Sequence, residues 1–225
     1  MDLRTKEFRR RCGSGLLRIF TLSLTKRNWS SLSHIPREGG CIIAVNHVSE
    51  FDPLVVWQCL RDAGRWPRFL TKSSLLEAPI LGAFLHLLGC IPVYRGTDDA
   101  ASVLAAAADA VQAGECLVIY PEGTTPKDGD LWPRQGKTGV ARLFLATAAP
   151  VVPLVTWGPQ KVFDPRTRKW HLRSRTPVTA VAGPPIDLSS WAGTEPTATS
   201  LDAITEQIMA ALHDLLAELR DTADH

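Results

Sequence analysis

The 225-residue chain contains no CxxC pair and no HExxH, and its five cysteines (Cys12, Cys41, Cys59, Cys90 and Cys116) show no close paired spacing. A structural zinc site is therefore not expected, and neither a metal nor a bound cofactor is predicted. Cys41, Cys59 and Cys116 lie in apolar runs, which fits core thiols in a reducing, cytosolic setting. No Gly-x-Ser-x-Gly elbow occurs, which argues against a Ser/His/Asp hydrolase. Gly136-Lys137-Thr138 resembles the end of a phosphate-binding P-loop. That motif needs glycine where Leu131 stands, and Trp132-Pro133 would stiffen the loop, so a nucleotide hydrolase is not expected. There is no internal repeat and no low-complexity tract. The apolar stretch from Ser14 to Leu24 is interrupted by Arg18 and is too short to cross about 30 Å of hydrocarbon. No small-x-small cleavage site follows it, so it does not read as a secretory signal.

What is present is unevenly distributed. Residues 1–27 hold eight Lys/Arg against two Asp/Glu, while the whole chain is only +2, which leaves residues 28–225 at −4. Leu16, Leu17, Ile19, Phe20, Leu22 and Leu24 accompany those charges. A basic, amphipathic leader ahead of a mildly acidic body predicts docking on an anionic membrane lipid surface, with no nucleic-acid partner. Packing of this helix against the domain is the alternative. The expected division is a docking segment at 1–30 and a catalytic domain at 31–225, held peripherally at the cytoplasmic face of the cell membrane.

Hydrophobic patterning over the rest predicts strands at Cys41–Val45, Arg68–Lys72, a short one within Gly89–Gly96, and at Cys116–Tyr120, Val151–Val155 and Val178–Ala182. Between them lie helical stretches. One follows Pro53, another runs over Leu75–Leu88 with Pro79 inside it, and an alanine-rich one spans Asp98–Ala113 and is closed by Gly114. Further helices are expected at Thr138–Ala148 and Ser200–Arg220. Strands alternating with helices predict a single α/β domain with a mostly parallel central sheet flanked by helices, preceded by the amphipathic segment. Sites in such folds gather beyond the carboxyl ends of the strands.

Asn46-His47-Val48-Ser49-Glu50-Phe51-Asp52 occupies such a place, between a buried strand and a helix start. Five residues apart on one helix, His47 and Asp52 would point about 140° apart at roughly 100° per residue. Across a strand–turn–helix junction the carboxylate can reach the imidazole, fix its tautomer and make the other ring nitrogen a general base. Asp52 is also placed to cap the helix that follows.

Three polar clusters each follow a core strand: Asn46-His47 to Asp52, Tyr94-Arg95-Gly96, and Pro121-Glu122-Gly123-Thr124. Together with Val152-Pro153-Leu154 they resemble, in order, the four sequence blocks of the glycerophospholipid acyltransferases, the PlsC-type lysophosphatidate acyltransferase family. The resemblance covers residues 41–155. It implies transfer of a fatty acyl group from acyl-CoA or acyl carrier protein to the free hydroxyl of a lysophospholipid, with 1-acyl-glycerol-3-phosphate as the leading acceptor. It implies further that His47 takes the acceptor proton, that Asp52 orients His47, and that no acyl-enzyme forms. Asn46, Arg95, Glu122, Gly123, Thr124 and Lys137 become the substrate-binding candidates. Among them Arg95 is expected on the acceptor phosphate, Glu122 on a glycerol hydroxyl, and Lys137 near the phosphate site. The sequence departs from the family in one place, where Thr125 replaces an arginine that usually follows Pro-Glu-Gly-Thr. Lys127, Arg134 and Lys137 are the candidates to replace that charge, and a different lysolipid or a glycolipid stays open as acceptor. An inactive lipid-binding relative would be expected to lose His47 or Asp52, and both are present.

Overall fold

Seven strands form one sheet: β1 (Thr25–Ser30), β2 (Cys41–Val45), β3 (Pro67–Lys72), β4 (Ile91–Val93), β5 (Cys116–Ile119), β6 (Val151–Trp157) and β7 (Thr176–Ala182). Their spatial order is β1-β7-β6-β2-β5-β3-β4. Every neighbouring pair is parallel except β6 with β7. The helices are α1 (Asp52–Asp62), α2 (Ser73–Leu76), α3 (Ala100–Gln112), α4 (Gly139–Thr147) and α5 (Ala198–Ala223). This computed structural model describes residues 15, 17–79, 82, 85, 90–93, 100–125, 130–172 and 175–223.

The centre of the sheet explains its sequence. β2 is buried along its whole length because β5 and β6 flank it and helices cover both faces. Its side chains alternate between two cores, as a period of two requires. Ile42 and Ala44 pack with Leu117, with Val140 and Leu143 of α4, and with Ile204, Ile208 and Leu212 of α5. Cys41, Ile43 and Val45 face the other way, toward Val56, Trp57 and Leu60 of α1. Ending α3, Gly114 adopts φ +86 and donates to the Val111 carbonyl, a conformation that favours glycine. Cys90 is buried as well as Cys41, Cys59 and Cys116, and all four are free thiols. Burial, and behind it the charge of Asp62, pushes the Cys59 thiol up to about 12, so it is inert.

The amino-terminal segment differs from its expected layout. Residues 25–30, placed by the sequence in the docking segment, form β1, which pairs in parallel with β7 from Thr25 to Ser30. The Trp29 indole N–H donates to Asp62 Oδ2 of α1 at 2.9 Å. The helical residues 17–24 lie along α1. Leu17 and Thr21 are buried, the Thr21 hydroxyl is 3.1 Å from Gln58 Oε1, and Arg18 is 3.7 Å from Asp62. The opposite face keeps Ile19 and Phe20 exposed. One side of this helix is thus core and the other is free. No helix among the described residues is long and apolar enough to cross a membrane. Leu16, Cys12 and the basic residues ahead of them lie outside the described residues.

Candidate active site

Strand register assembles the site. Cys41 of β2 faces Cys116 of β5, and Ala44 faces Ile119. The same offset, carried past the end of the sheet, sets His47 beside Glu122, and the His47 backbone N–H donates to Glu122 Oε1 at 3.0 Å. On the other flank, Asn46 is locked to β6. Its amide N–H donates to the Thr156 carbonyl (3.1 Å), and its side-chain oxygen accepts the Thr156 N–H (2.8 Å). The exit of the chain from β2 is therefore tied on both sides before it reaches the imidazole.

Asp52 is the first residue of α1, with proline behind it, and it is completely buried. Its carboxylate does not cap the helix as the sequence suggested. It turns back onto the loop, where Oδ2 accepts from His47 Nδ1 (2.9 Å), the Val48 N–H (2.6 Å) and the Ser49 N–H (2.9 Å). Donation from Nδ1 leaves Nε2 of the neutral ring as an acceptor. Nε2 lies 3.1 Å from the Thr125 hydroxyl, which donates to it in this tautomer. The ring stacks on Tyr120, with centroids 4.4 Å apart and planes 29° from parallel. His47 is thus fixed by four neighbours, and its one free lone pair points at an oxygen.

Electrostatics follow from the burial. Burial alone would lower the His47 pKa, but the Asp52 hydrogen bond and charge, then Glu122 and Glu50, outweigh it and raise it above 6.5. Burial lifts the Asp52 carboxyl, against the pull of His47 and of the Ser49 and Val48 N–H groups. Burial also lifts Glu122, against the His47 and Arg134 N–H groups, and lifts the Tyr120 hydroxyl well above 10, with Asp52 adding to it. A carboxylate-backed imidazole raised in this way is a stronger base than a free one.

Glu122 acts differently from expectation. Its two oxygens accept the His47 N–H and the Arg134 N–H (3.2 Å), so it joins the two loops rather than presenting a free carboxylate to a glycerol hydroxyl. Asn46 likewise shapes the site from beneath, at 1% exposure. Gly123 has φ +69, and a Cβ there would sit 3.0 Å from Lys137 Nζ. Lys137 thus lies across the Pro-Glu-Gly turn, held by its own N–H on the Pro121 carbonyl (2.8 Å). Thr124 is exposed on the same turn. Arg95, with Tyr94 and Gly96, and Lys127 lie outside the described residues. Sequence reasoning did not find Tyr120 or the contact of Thr125 with the base. The signal available for both was the strand register, which sets residues 120–125 beside 45–47.

A histidine paired with a buried aspartate at the carboxyl ends of parallel strands, facing a hydroxyl, is an arrangement chemically able to activate an oxygen nucleophile. The chain belongs to the acyltransferase family, whose model, described as Acyltransferase, matches residues 26–157. It is 29% identical over 140 residues to a chloroplastic 1-acyl-sn-glycerol-3-phosphate acyltransferase of Brassica napus, covering 61% of this chain and 39% of that one. It is 29% identical over 131 residues to the 1-acyl-sn-glycerol-3-phosphate acyltransferase of Borreliella burgdorferi, covering 58% and 50%. An uncharacterized protein of Mycobacterium tuberculosis matches 92% of the chain at 27% identity, over 66% of its own length. The chain thus spans between two fifths and two thirds of these relatives. The crystal structure of the 1-acyl-sn-glycerophosphate acyltransferase PlsC from Thermotoga maritima shares the fold. Its TM-score is 0.64 at 20% identity, over 94% of this chain and 80% of that one.

Proposed function

We propose that the protein is an O-acyltransferase that moves a fatty acyl group from a thioester, acyl-CoA or acyl carrier protein, to the free hydroxyl of a lysophospholipid. The leading acceptor is 1-acyl-glycerol-3-phosphate, which would give phosphatidate. One observation carries the reading: His47 Nε2 faces a hydroxyl at 3.1 Å while Nδ1 is anchored on a buried carboxylate. The acceptor hydroxyl takes the place of the Thr125 hydroxyl and gives its proton to Nε2 as its oxygen attacks the thioester carbonyl. The C–S bond breaks, and the proton passes from His47 to the leaving thiolate. Lys137, lying over the Pro-Glu-Gly turn, is the cation we assign to an acceptor phosphate. No bound cofactor or metal enters this sequence of steps. The chain would work as a peripheral protein on the cytoplasmic face of a membrane, where acceptor and product both reside. A lysolipid or glycolipid of another headgroup is the alternative acceptor, because Thr125 replaces the arginine usual in the family.

The Thr125 contact supports a second reading. Thr125, His47 and Asp52 are in line as nucleophile, base and orienting carboxylate. Thr125 would then be acylated first, with loss of the thiol, and its ester attacked by the acceptor. Two variants in a radiolabelled acyl-transfer assay over a panel of lysolipids separate the readings. His47→Ala should lower kcat by at least about 10²–10⁴-fold, the usual worth of a positioned base. Thr125→Val should keep turnover within a few fold if attack is direct; if Thr125 is acylated, it should lose both turnover and the protein-bound label that the parent shows. Near-parental turnover by His47→Ala would end both readings.

A further inference from the structure

Among the described residues, four large apolar side chains stand exposed: Ile19 (67%), Phe20 (44%), Trp170 (50%) and Leu172 (66%). They fall on only two segments, the helical residues 17–24 and the excursion between β6 and β7. Positive charge is divided in the same way. Residues 1–27 carry a surplus of six, and residues 161–175 carry six Lys/Arg (Lys161, Arg166, Arg168, Lys169, Arg173, Arg175) against Asp164 alone. With the whole chain at +2, everything outside these two segments carries −9.

The second segment is a built hairpin. Phe163 bridges Trp170 in antiparallel fashion. Asp164 N–H donates to the Lys169 carbonyl and Arg168 N–H to the Asp164 carbonyl. The Asp164 carboxylate caps the turn from within, accepting the Arg166 and Thr167 N–H groups at 2.8 and 3.3 Å. Trp170 meets Phe51 and Phe163 edge-on, at centroid distances of 5.9 and 4.9 Å, so its ring is seated in place while half of it stays in solvent. The hairpin is also joined to the catalytic loop. The Ser49 hydroxyl donates to the Phe163 carbonyl at 2.7 Å, and Arg168 lies 3.6 Å from Glu50. Leu24 of the helical segment packs into the same small cluster as Phe51 and Phe163.

We propose that the hairpin 163–172 is a docking element for an anionic lipid bilayer. Trp170 and Leu172 enter the boundary between headgroups and acyl chains, and Arg166 and Lys169 rest on lipid phosphates. A fixed indole with one wet edge suits that boundary, and each cation near an anionic surface adds to the attraction. A polyanion such as nucleic acid would engage the cations and leave Leu172 in water, so a bilayer fits the whole surface. The inference rests on the acyltransfer reading for its purpose: lipid bound here lies against the loop that carries His47.

The test uses the full chain with phosphatidylcholine vesicles, with or without phosphatidylglycerol, some with brominated acyl chains, and no acyl donor. Bromine should quench part of the tryptophan emission on anionic vesicles. That part should vanish in Trp170→Phe, which keeps the aromatic packing and should still sediment. Arg166→Glu combined with Lys169→Glu should lower the sedimenting fraction at least threefold at low salt. Leu172→Ser, at a residue outside the core clusters, should weaken binding to the same vesicles with an unchanged Tm. Quenching that persists in Trp170→Phe would overturn the proposal, as would sedimentation indifferent to the charge reversal. So would equally tight binding of an RNA oligonucleotide with no bromine quenching. Because no turnover is measured, a chain that docks in this way but transfers no acyl group would leave the hairpin assignment standing and remove the acyltransfer reading.

Discussion

At the scale of single residues, the site is a small set of buried charges that lean on one another. Glu122 holds the His47 backbone and also contributes to raising the imidazole pKa. In the proposed reaction the base works only when neutral, so activity should rise as pH climbs through that raised value. Glu122→Gln removes one of the charges that raise it, so the acid limb of kcat/KM should move to lower pH, measured on detergent-dispersed substrate. The same substitution should change stability with a definite sign. The folded-state pKa of Glu122 is raised above 4.5, so its contribution is fully present below 4.5 and lost as pH rises through the raised value. Relative to the parent, the Tm of Glu122→Gln should therefore improve between pH 4 and pH 8. A difference in Tm that is flat across that range would show that Glu122 is not buried at a cost.

At the scale of elements, what was legible followed from where each segment lies in the sheet. β2, β5 and β6 are central and covered on both faces, so their sequences are continuous apolar runs and declare themselves. β1 does not: Thr25-Lys26-Arg27-Asn28-Trp29-Ser30 is mostly polar, because an edge strand needs only alternate residues inside, and its pairing with β7 is decided 151 positions away. The pairing of His47 with Asp52 was legible from spacing, yet the carboxylate's direction was not. A residue at the start of a helix is expected to serve the helix, and this one serves the loop behind it. At the amino ends of the strands, opposite the site, Arg65 is 6% exposed and donates to the carbonyls of Pro36 (2.6 Å), Gly39 (2.6 Å) and Gly114 (3.0 Å). Arg65→Ala leaves three carbonyls without their donor and should cost about 3 kcal/mol, from charged hydrogen bonds worth about 1.5–3 each with partial replacement by water. Urea melts should show it, while the pH profile of the remaining enzyme stays where it was. Arg65→Lys should recover little, since an ammonium cannot reproduce the fork.

At the scale of the whole molecule, the helical residues 17–24 present two faces, one packed on the domain and one exposed to solvent. Leu17 and Thr21 belong to the core, whereas Ile19 and Phe20 do not. Ile19→Ser with Phe20→Ser should therefore leave the Tm within a degree or two and lower binding to anionic vesicles. Activity should fall on vesicle substrate and survive on detergent-dispersed substrate. Equal loss in both formats would mean that the exposed face is structural after all. The pair that ties Asn46 to Thr156 has a consequence in time. Its partners are 110 residues apart in the chain, and both ends of the Asn46 amide are satisfied only by β6. During synthesis the loop bearing His47 exists long before the strand that steadies it, so the Asn46 tie can form only after β6 has docked. Closure of such distant contacts is the slow part of folding an α/β sheet. The emerging chain thus carries His47 and Asp52 for a time without the strand that steadies their loop, a stage that ends when Thr156 arrives.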